Sequence, residues 1–205
     1  MINNYKDFLK FLESLDYRPK LLLHSCCAPC STHTIKLLQE YFDITIYYSN
    51  DNIYPYDEFK IRSIEQVNFA SEINSNIKVI VDDYDKKNFD ESVKGYENLG
   101  ERSERCFHCY NFRLEKTAIY AKKHNFDYFT TTLSISPYKN SDWINKIGYE
   151  LELKYGVKFL YSNFKKDEGY KDSIKMSNDY HLYRQDYCGC IYSLAERRNK
   201  EWKKH

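Results

Sequence analysis

The sequence predicts an α/β fold in which a parallel sheet is flanked by helices, and three observations carry that expectation. Short apolar or β-branched runs recur at residues 21–23, 44–48, 77–81, 128–133 and 157–161, each bounded by turn residues. Segments of helical period separate them, long enough for right-handed crossovers between parallel strands. The first run ends in Ser25-Cys26-Cys27-Ala28-Pro29-Cys30. That places three cysteines at the carboxyl end of a strand and the start of a helix, where open α/β sheets build their sites.

Taken in order, residues 5–15 put Phe8, Leu9, Phe11, Leu12 and Leu15 on one helical face. After the cysteine turn, Ile35, Leu37, Leu38 and Tyr41 are apolar where Lys36, Gln39 and Glu40 are polar, the pattern of an amphipathic helix. Residues 50–56 form a loop by their Asn, Asp and Pro content. Over 57–73, Phe59, Ile64, Val67, Ala70 and Ile73 recur at helical spacing, with Asp57 as the expected N-cap. Residues 84–100 are polar and partly helical, an excursion from the sheet. Residues 106–123 read as a helix with Leu114, Thr117, Ala118 and Ala121 inward, and 142–154 as another. Residues 165–185, rich in Tyr, Ser and Asp, read as irregular, and 191–202 as a closing helix. The whole reads as a single α/β domain over 1–205. Its sheet core spans 18–163, and a C-terminal segment, 164–205, carries a Cys-Gly-Cys pair and a basic helix.

Composition narrows the function. Of 205 residues 42% are apolar, enough for a core. Lys+Arg 31 against Asp+Glu 30 leaves a net charge of +1, so no global basic field announces a polyanion and any such contact must be local. The local candidate is Arg197-Arg198-Asn199-Lys200-Glu201-Trp202-Lys203-Lys204, which reads equally as a solvated helix end. The 21 tyrosines fit either a compositional bias or base-stacking surfaces. The N-terminus lacks the apolar core of a signal peptide, and no run approaches the roughly 18 apolar residues of a membrane span. The expectation is a cytoplasmic chain, with no membrane partner, whose seven cysteines serve metal or redox chemistry.

Two further clusters join the first. In Glu104-Arg105-Cys106-Phe107-His108-Cys109-Tyr110, the two cysteines share one face of a helix. In Tyr183-Arg184-Gln185-Asp186-Tyr187-Cys188-Gly189-Cys190, two cysteines flank a glycine and can close a small, strained, readily reduced ring. A cuboidal iron–sulfur cluster wants four cysteines, and Cys26, Cys27, Cys106 and Cys109 supply them. A structural zinc site would instead take Cys27 and Cys30 with Cys106 and Cys109, leaving Cys26 idle. Independent thiols are the third reading. Cys27-Ala-Pro-Cys30 also has the layout of a thioredoxin site, against which stand five further cysteines and the strands that continue after it. A phosphate loop fails for lack of glycine in the turn, so ATP use is not expected.

Four segments carry a resemblance: Leu-Leu-Leu-His-Ser-Cys-Cys-Ala-Pro-Cys (21–30), Glu-Arg-Cys-Phe-His-Cys-Tyr-Asn-Phe-Arg-Leu (104–114), Thr-Thr-Leu-Ser-Ile-Ser-Pro-Tyr-Lys-Asn (131–140) and Tyr-Arg-Gln-Asp-Tyr-Cys-Gly-Cys (183–190). In these the chain resembles the QueH-type epoxyqueuosine reductases of tRNA queuosine biosynthesis, over about residues 21–194. The resemblance implies reduction of the cyclopentane epoxide of epoxyqueuosine, at the anticodon wobble position, to the alkene of queuosine. It implies the nucleotide-binding α/β domain of ATP-dependent tRNA thiolases, with a cysteine cluster in place of the phosphate loop. It implies a [4Fe-4S] cluster on Cys26, Cys27, Cys106 and Cys109, and a redox-active pair, Cys188 and Cys190. Cys30 falls where the family can carry Asp, and implies a second, mononuclear iron.

The implied partners are a tRNA anticodon stem-loop and an unidentified electron donor. Tyr138, Lys139, Asn140, Tyr183, Arg184 and Gln185 are the candidate nucleotide contacts, by stacking, phosphate and base-edge bonding; their plain alternative is loop capping. His24, His108, Tyr138 and Tyr187 are the candidate proton donors. Two other classes remain open: a thiol–disulfide oxidoreductase of protein substrates, and a zinc-stabilised RNA-binding protein.

Overall fold

The computed structural model describes residue 2 and residues 4–202; Lys203 and Lys204 of the expected basic end lie outside them. Five strands, β1 (Lys20–His24), β2 (Asp43–Tyr48), β3 (Lys78–Val81), β4 (Tyr128–Thr131) and β5 (Lys158–Phe159), form one parallel sheet in the order β3-β2-β1-β4-β5. The helices are α1 (Tyr5–Glu13), α2 (Ala28–Leu38), α3 (Tyr56–Ile73), α4 (Lys86–Ser92), α5 (Glu104–Lys123), α6 (Ser141–Tyr155), α7 (Gly169–Asp179) and α8 (Ile191–Trp202).

The apolar run of β1 explains its central place. Leu21, Leu22 and Leu23 are fully buried, each stabilising by about 2 kcal/mol. The pleat sends them to opposite faces. Leu21 and Leu23 pack with Phe8 and Leu12 of α1, Ile35 and Leu38 of α2, and Phe69 of α3. Leu22 packs on the other side with Leu114 and Ala118 of α5 and Ile144 and Ile147 of α6. Leu22 pairs with Thr45 of β2 and with Phe129 of β4. The chain leaves β1 for β2 on one side and reaches β4 on the other, so strand order reverses at β1/β4. The crevice at the carboxyl ends of those two strands is the binding position of such sheets.

Several expected boundaries move. β4 stops at Thr131, because Thr132–Ile135 turns into a 3-10 helix whose first N–H groups are capped by Thr131 Oγ1, 3.1 Å from Leu133 N. β5 is two residues long at the sheet edge. The N-cap of α3 is Pro55, not Asp57.

Two larger corrections concern faces. On α3, Ile64 is 61% exposed and Val67 42% exposed, while Glu58, Arg62 and Gln66 are buried. The helix still buries Phe59, Phe69 and Ala70, but it gives the inward positions between them to polar residues beside the cysteine turn and leaves Ile64 and Val67 to solvent. Residues 165–185 are not irregular throughout: α7 packs against α2. Its buried stripe is Gly169, Ser173 and Ser177, small residues that leave no apolar period. Gly169 is required there, since a Cβ would lie 2.1 Å from Phe164 O and 2.7 Å from His33 Nε2.

Candidate active site

The turn after β1 is held almost entirely by its neighbours' polar groups. His24 is fully buried, with Nδ1 2.7 Å from Thr131 Oγ1 and Nε2 3.3 Å from Ser49 O. A carbonyl only accepts, so Nε2 carries the proton and Nδ1 accepts from the threonine hydroxyl. Burial, then the nearby Arg113 cation, lower its pKa to about 3, so it is a neutral brace. Ser25 N donates to Tyr47 O at 3.0 Å, Ser25 Oγ donates to Gln66 Oε1 at 2.6 Å, and Asn50 Nδ2 donates to Ser25 O at 2.8 Å. Cys27, extended at φ −175°, then caps α2, and Pro29 sits in the first helical turn, where no backbone donor is needed.

This turn gathers the sulfurs of Cys26, Cys27 and Cys30 within 4.8 Å of one another, the one such group of potential metal ligands among the described residues. Cys26 and Cys27 Sγ are 3.8 Å apart. Hydrogen bonds from Cys27 and Cys30 hold Cys26 well below the usual thiol range. Its bond to Cys26 pushes Cys27 up to about 12, and bonds to Cys26 and Cys27 push Cys30 well above the ordinary value.

A second group faces it. Cys106 and Cys109 lie one turn apart on α5, both buried, and burial pushes Cys109 up to about 12. Cys188 and Cys190, from the turn before α8, approach Cys109 closely enough to perturb it. Arg113, fully buried one turn further along α5, lies between the groups. It hydrogen-bonds Cys109, feels the charge of both Cys26 and Cys188, and donates to Asn50 Oδ1. The structure thus unites Cys26 and Cys27 with Cys30, sets Cys106 and Cys109 beside Cys188 and Cys190, and spans the interval with one guanidinium. All seven cysteines are free thiols.

The donor set fits an anionic metal centre. Thiolates are the soft ligands of zinc and iron–sulfur clusters. Three buried cations, Arg62, Arg113 and Lys139, surround them. Arg62 Nη2 and Arg113 Nε are buried without a partner, donors waiting on an acceptor. Zinc on Cys27, Cys30, Cys106 and Cys109 would leave Cys26 unused, although its sulfur is at the centre of the triad's hydrogen bonding.

The triad opens on a cavity of about 410 Å3, lined also by Arg62, Arg113, Tyr138, Lys139, Arg184, Gln185, Tyr187 and Cys188. Lys139 Nζ is 2.7 Å from Cys188 Sγ. Of the other expected contacts, Asn140 caps α6 through hydrogen bonds from Asp142 and Trp143 N, and Tyr183 donates to Glu58 Oε2 at 3.4 Å. His108 stacks on Tyr96, 4.3 Å between centroids, away from the cavity wall. The Cys188–Cys190 turn rests on Arg62, whose guanidinium lies 5.2 Å over the Tyr187 ring and bonds Glu58 at 2.7 Å. Gly189 has φ +118°, and a Cβ there would come 3.2 Å from both Arg62 Nη1 and Ile53.

Sequence reasoning missed Arg62, Glu58, Gln66, Asn50 and the bridging role of Arg113. One signal was available: Glu58, Arg62 and Gln66 are spaced by four, a polar stripe on a helix that has to pack.

Thiols gathered at the switch point of a parallel α/β sheet, in a wall of buried cations, define a cysteine-centred α/β protein whose Cys26, Cys27 and Cys30 could hold a metal ion. The sequence profile described as epoxyqueuosine reductase QueH matches residues 21–196, and the chain belongs to that family. It is 42% identical over 188 residues to the epoxyqueuosine reductase QueH of Streptococcus pyogenes serotype M1, covering 90% of this chain and 74% of the relative. It is 41% identical over 203 residues to that of Staphylococcus aureus, covering 94% and 85%. With that of Thermotoga maritima it shares 39% identity over 186 residues, covering 88% and 93%.

Proposed function

We propose that this chain is an epoxyqueuosine reductase acting on tRNA in the cytoplasm, converting epoxyqueuosine at the wobble position to queuosine. The family match across residues 21–196 carries the reading. Two electrons and two protons enter, the epoxide oxygen departs as water, and the two ring carbons are left joined by a double bond. No described helix is long and apolar enough to cross a membrane.

Cys26, Cys27, Cys106 and Cys109 are the proposed holders of a [4Fe-4S] cluster, with Cys30 on a second, mononuclear iron. When bound, that centre supplies electron relay and a Lewis-acid position. The turn that carries it takes the place that the phosphate loop has in the nucleotide-binding domain of ATP-dependent tRNA thiolases. Arg62 and Arg113 balance the negative charge from their buried positions. Tyr138, Lys139, Arg184 and Gln185 contribute the cavity wall that receives the splayed nucleoside; Asn140 and Tyr183, next to them in sequence, do not line it. The wall favours Tyr138 and Tyr187 as proton donors: His24 is neutral and doubly bonded, and His108 lies off the cavity. Cys188 and Cys190 form the pair that takes electrons from an outside reductant.

Anaerobic purification and turnover test the whole. The expected protein is brown, with about four or more irons per chain. Given a reductant, it removes one oxygen mass from epoxyqueuosine in tRNA, read on the released nucleosides. A colourless protein with one zinc and no such product would overturn the reading in favour of a zinc-stabilised RNA-binding module. Reduction of protein disulfides without nucleoside product would favour a thiol oxidoreductase.

A further inference from the structure

Cys188 and Cys190, two residues apart, occupy unlike surroundings. Cys188 is half-buried and lines the cavity, with its sulfur 2.7 Å from the Lys139 ammonium. Lys139 is only 9% exposed and is fixed from several sides. Its Nζ lies 3.7 Å from Glu101 Oε1 and 5.9 Å over the Tyr110 ring, and its carbonyl accepts from Lys165 Nζ at 3.0 Å. Burial works against the charge on this lysine, but its place beside the Cys188 sulfur holds its pKa well above the ordinary lysine value, so it is an ammonium. Cys190 is buried, is not part of the cavity wall, and immediately precedes α8. Its sulfur accepts from Ser193 N at 3.4 Å, in the first turn of that helix, and lies 3.5 Å from Ser193 Oγ.

We propose that Lys139 is a positioning residue that makes Cys188 the sulfur through which the pair takes electrons from a dithiol donor, with Cys190 as the sulfur released first. The proposal rests on the reading of the pair as redox-active. In the oxidised pair a donor thiolate attacks Cys188 Sγ, the sulfur that the cavity exposes. The donor–Cys188 bond forms, the Cys188–Cys190 bond breaks, and the electron pair leaves on Cys190, where the Ser193 N–H and the helix N-terminus receive the charge. The donor's second thiolate then attacks the donor sulfur, and Cys188 leaves as a thiolate against the Lys139 ammonium. The donor ends as a disulfide, the pair as two reduced sulfurs, and two electrons have moved. Each departing sulfur has its own charge acceptor in place.

The test uses the full-length protein, and its readout is which sulfur reacts. With the pair reduced and limiting iodoacetamide, peptide mass analysis is expected to find Cys188 alkylated at least about tenfold faster than Cys190, from the cost of losing one charge-assisted hydrogen bond. Lys139→Met should erase most of that preference, and Lys139→Arg should restore it. General unfolding would raise both rates together, so the ratio separates activation from structure. With the pair oxidised, a monothiol and a thioredoxin whose resolving cysteine is serine should each be trapped on Cys188. Capture of the protein but not the small thiol would make the donor a protein dithiol, and the reverse a small one. Labelling of Cys190 first, donor found on Cys190, or a ratio indifferent to Lys139→Met would overturn the proposal. Epoxyqueuosine left unreduced beside the expected labelling would remove the functional reading and leave this one standing.

Discussion

The two cysteine centres are held by different means. The triad of Cys26, Cys27 and Cys30 is built into regular structure: β1 feeds it, a helix N-terminus receives it, and Ser25 N–H bonds the Tyr47 carbonyl of β2, while the Asn50 and Gln66 side chains hold the Ser25 C=O and hydroxyl. The Cys188–Cys190 turn hangs on side chains: Lys139 on one sulfur, Ser193 on the other, and Arg62 under Tyr187 and Gly189. Its one main-chain tie to the loop before α3 is Tyr54 N to Gly189 O at 2.8 Å. A centre fixed by the sheet keeps its geometry through turnover. A turn fixed by side chains can change its bonding without disturbing the fold.

That contrast is sharpest where a proposed ligand is removed. Cys27→Ser should leave the strand and helix in place and abolish the metal centre, with iron per chain and epoxyqueuosine reduction both falling by roughly a hundredfold or more. Circular dichroism should stay unchanged. Retained iron and activity would move Cys27 out of the ligand set.

Breaking the support of the other centre should cost stability as well. Arg62 is 1% exposed and its partner Glu58 is 9% exposed. Arg62→Met strands that carboxylate and should cost about 4 kcal/mol. It should also increase protease cleavage near residues 183–190. An unfolding midpoint within error of the parent would show that the pair contributes little to the fold.

The same contrast decides what could be read from sequence. β1, the cysteine turn and α2 were legible because an apolar run, a Pro and three cysteines are local signals. α7 was not, because its contact with α2 is made by Gly169, Ser173 and Ser177, whose value lies in having little side chain. On α3, apolar spacing rightly put Phe59 and Ala70 inward but also pointed at Ile64 and Val67, which are exposed, while Glu58, Arg62 and Gln66 form a buried polar stripe selected by the site. Lys139 was legible as a cation near the chemistry. Its bond to Cys188 spans 49 positions of chain, and no local pattern encodes that.

Gly169 gives the next smaller effect. Gly169→Ala forces a Cβ against Phe164 O and His33, and should cost about 3 kcal/mol, read from the urea midpoint. Iron binding should persist under native conditions, since the cysteine turn does not depend on α7 for its main-chain bonds. Loss of iron in the folded variant would show that the clasp between α7 and α2 holds Cys30 in place.

The smallest effect lies on the outer edge of that clasp. Asp172 of α7 accepts from His33 Nδ1 at 2.8 Å and from Lys36 at 3.0 Å. The His33 bond first, and Lys36 after it, hold its carboxyl below the usual carboxylate range. A carboxyl lowered on folding contributes stability above the unfolded value of roughly 3.9 and loses it as pH falls through the folded one. Asp172 keeps part of its side chain in water, where solvent screens the pair, so the contribution at neutral pH should be about 1 kcal/mol or less. Asp172→Asn should therefore lower the urea midpoint slightly at pH 7, and the gap to the parent should close on acidification below about pH 4. A gap that stays constant with pH would mean that the side chain acts by neutral hydrogen bonding, and that charge plays no part in joining α7 to α2.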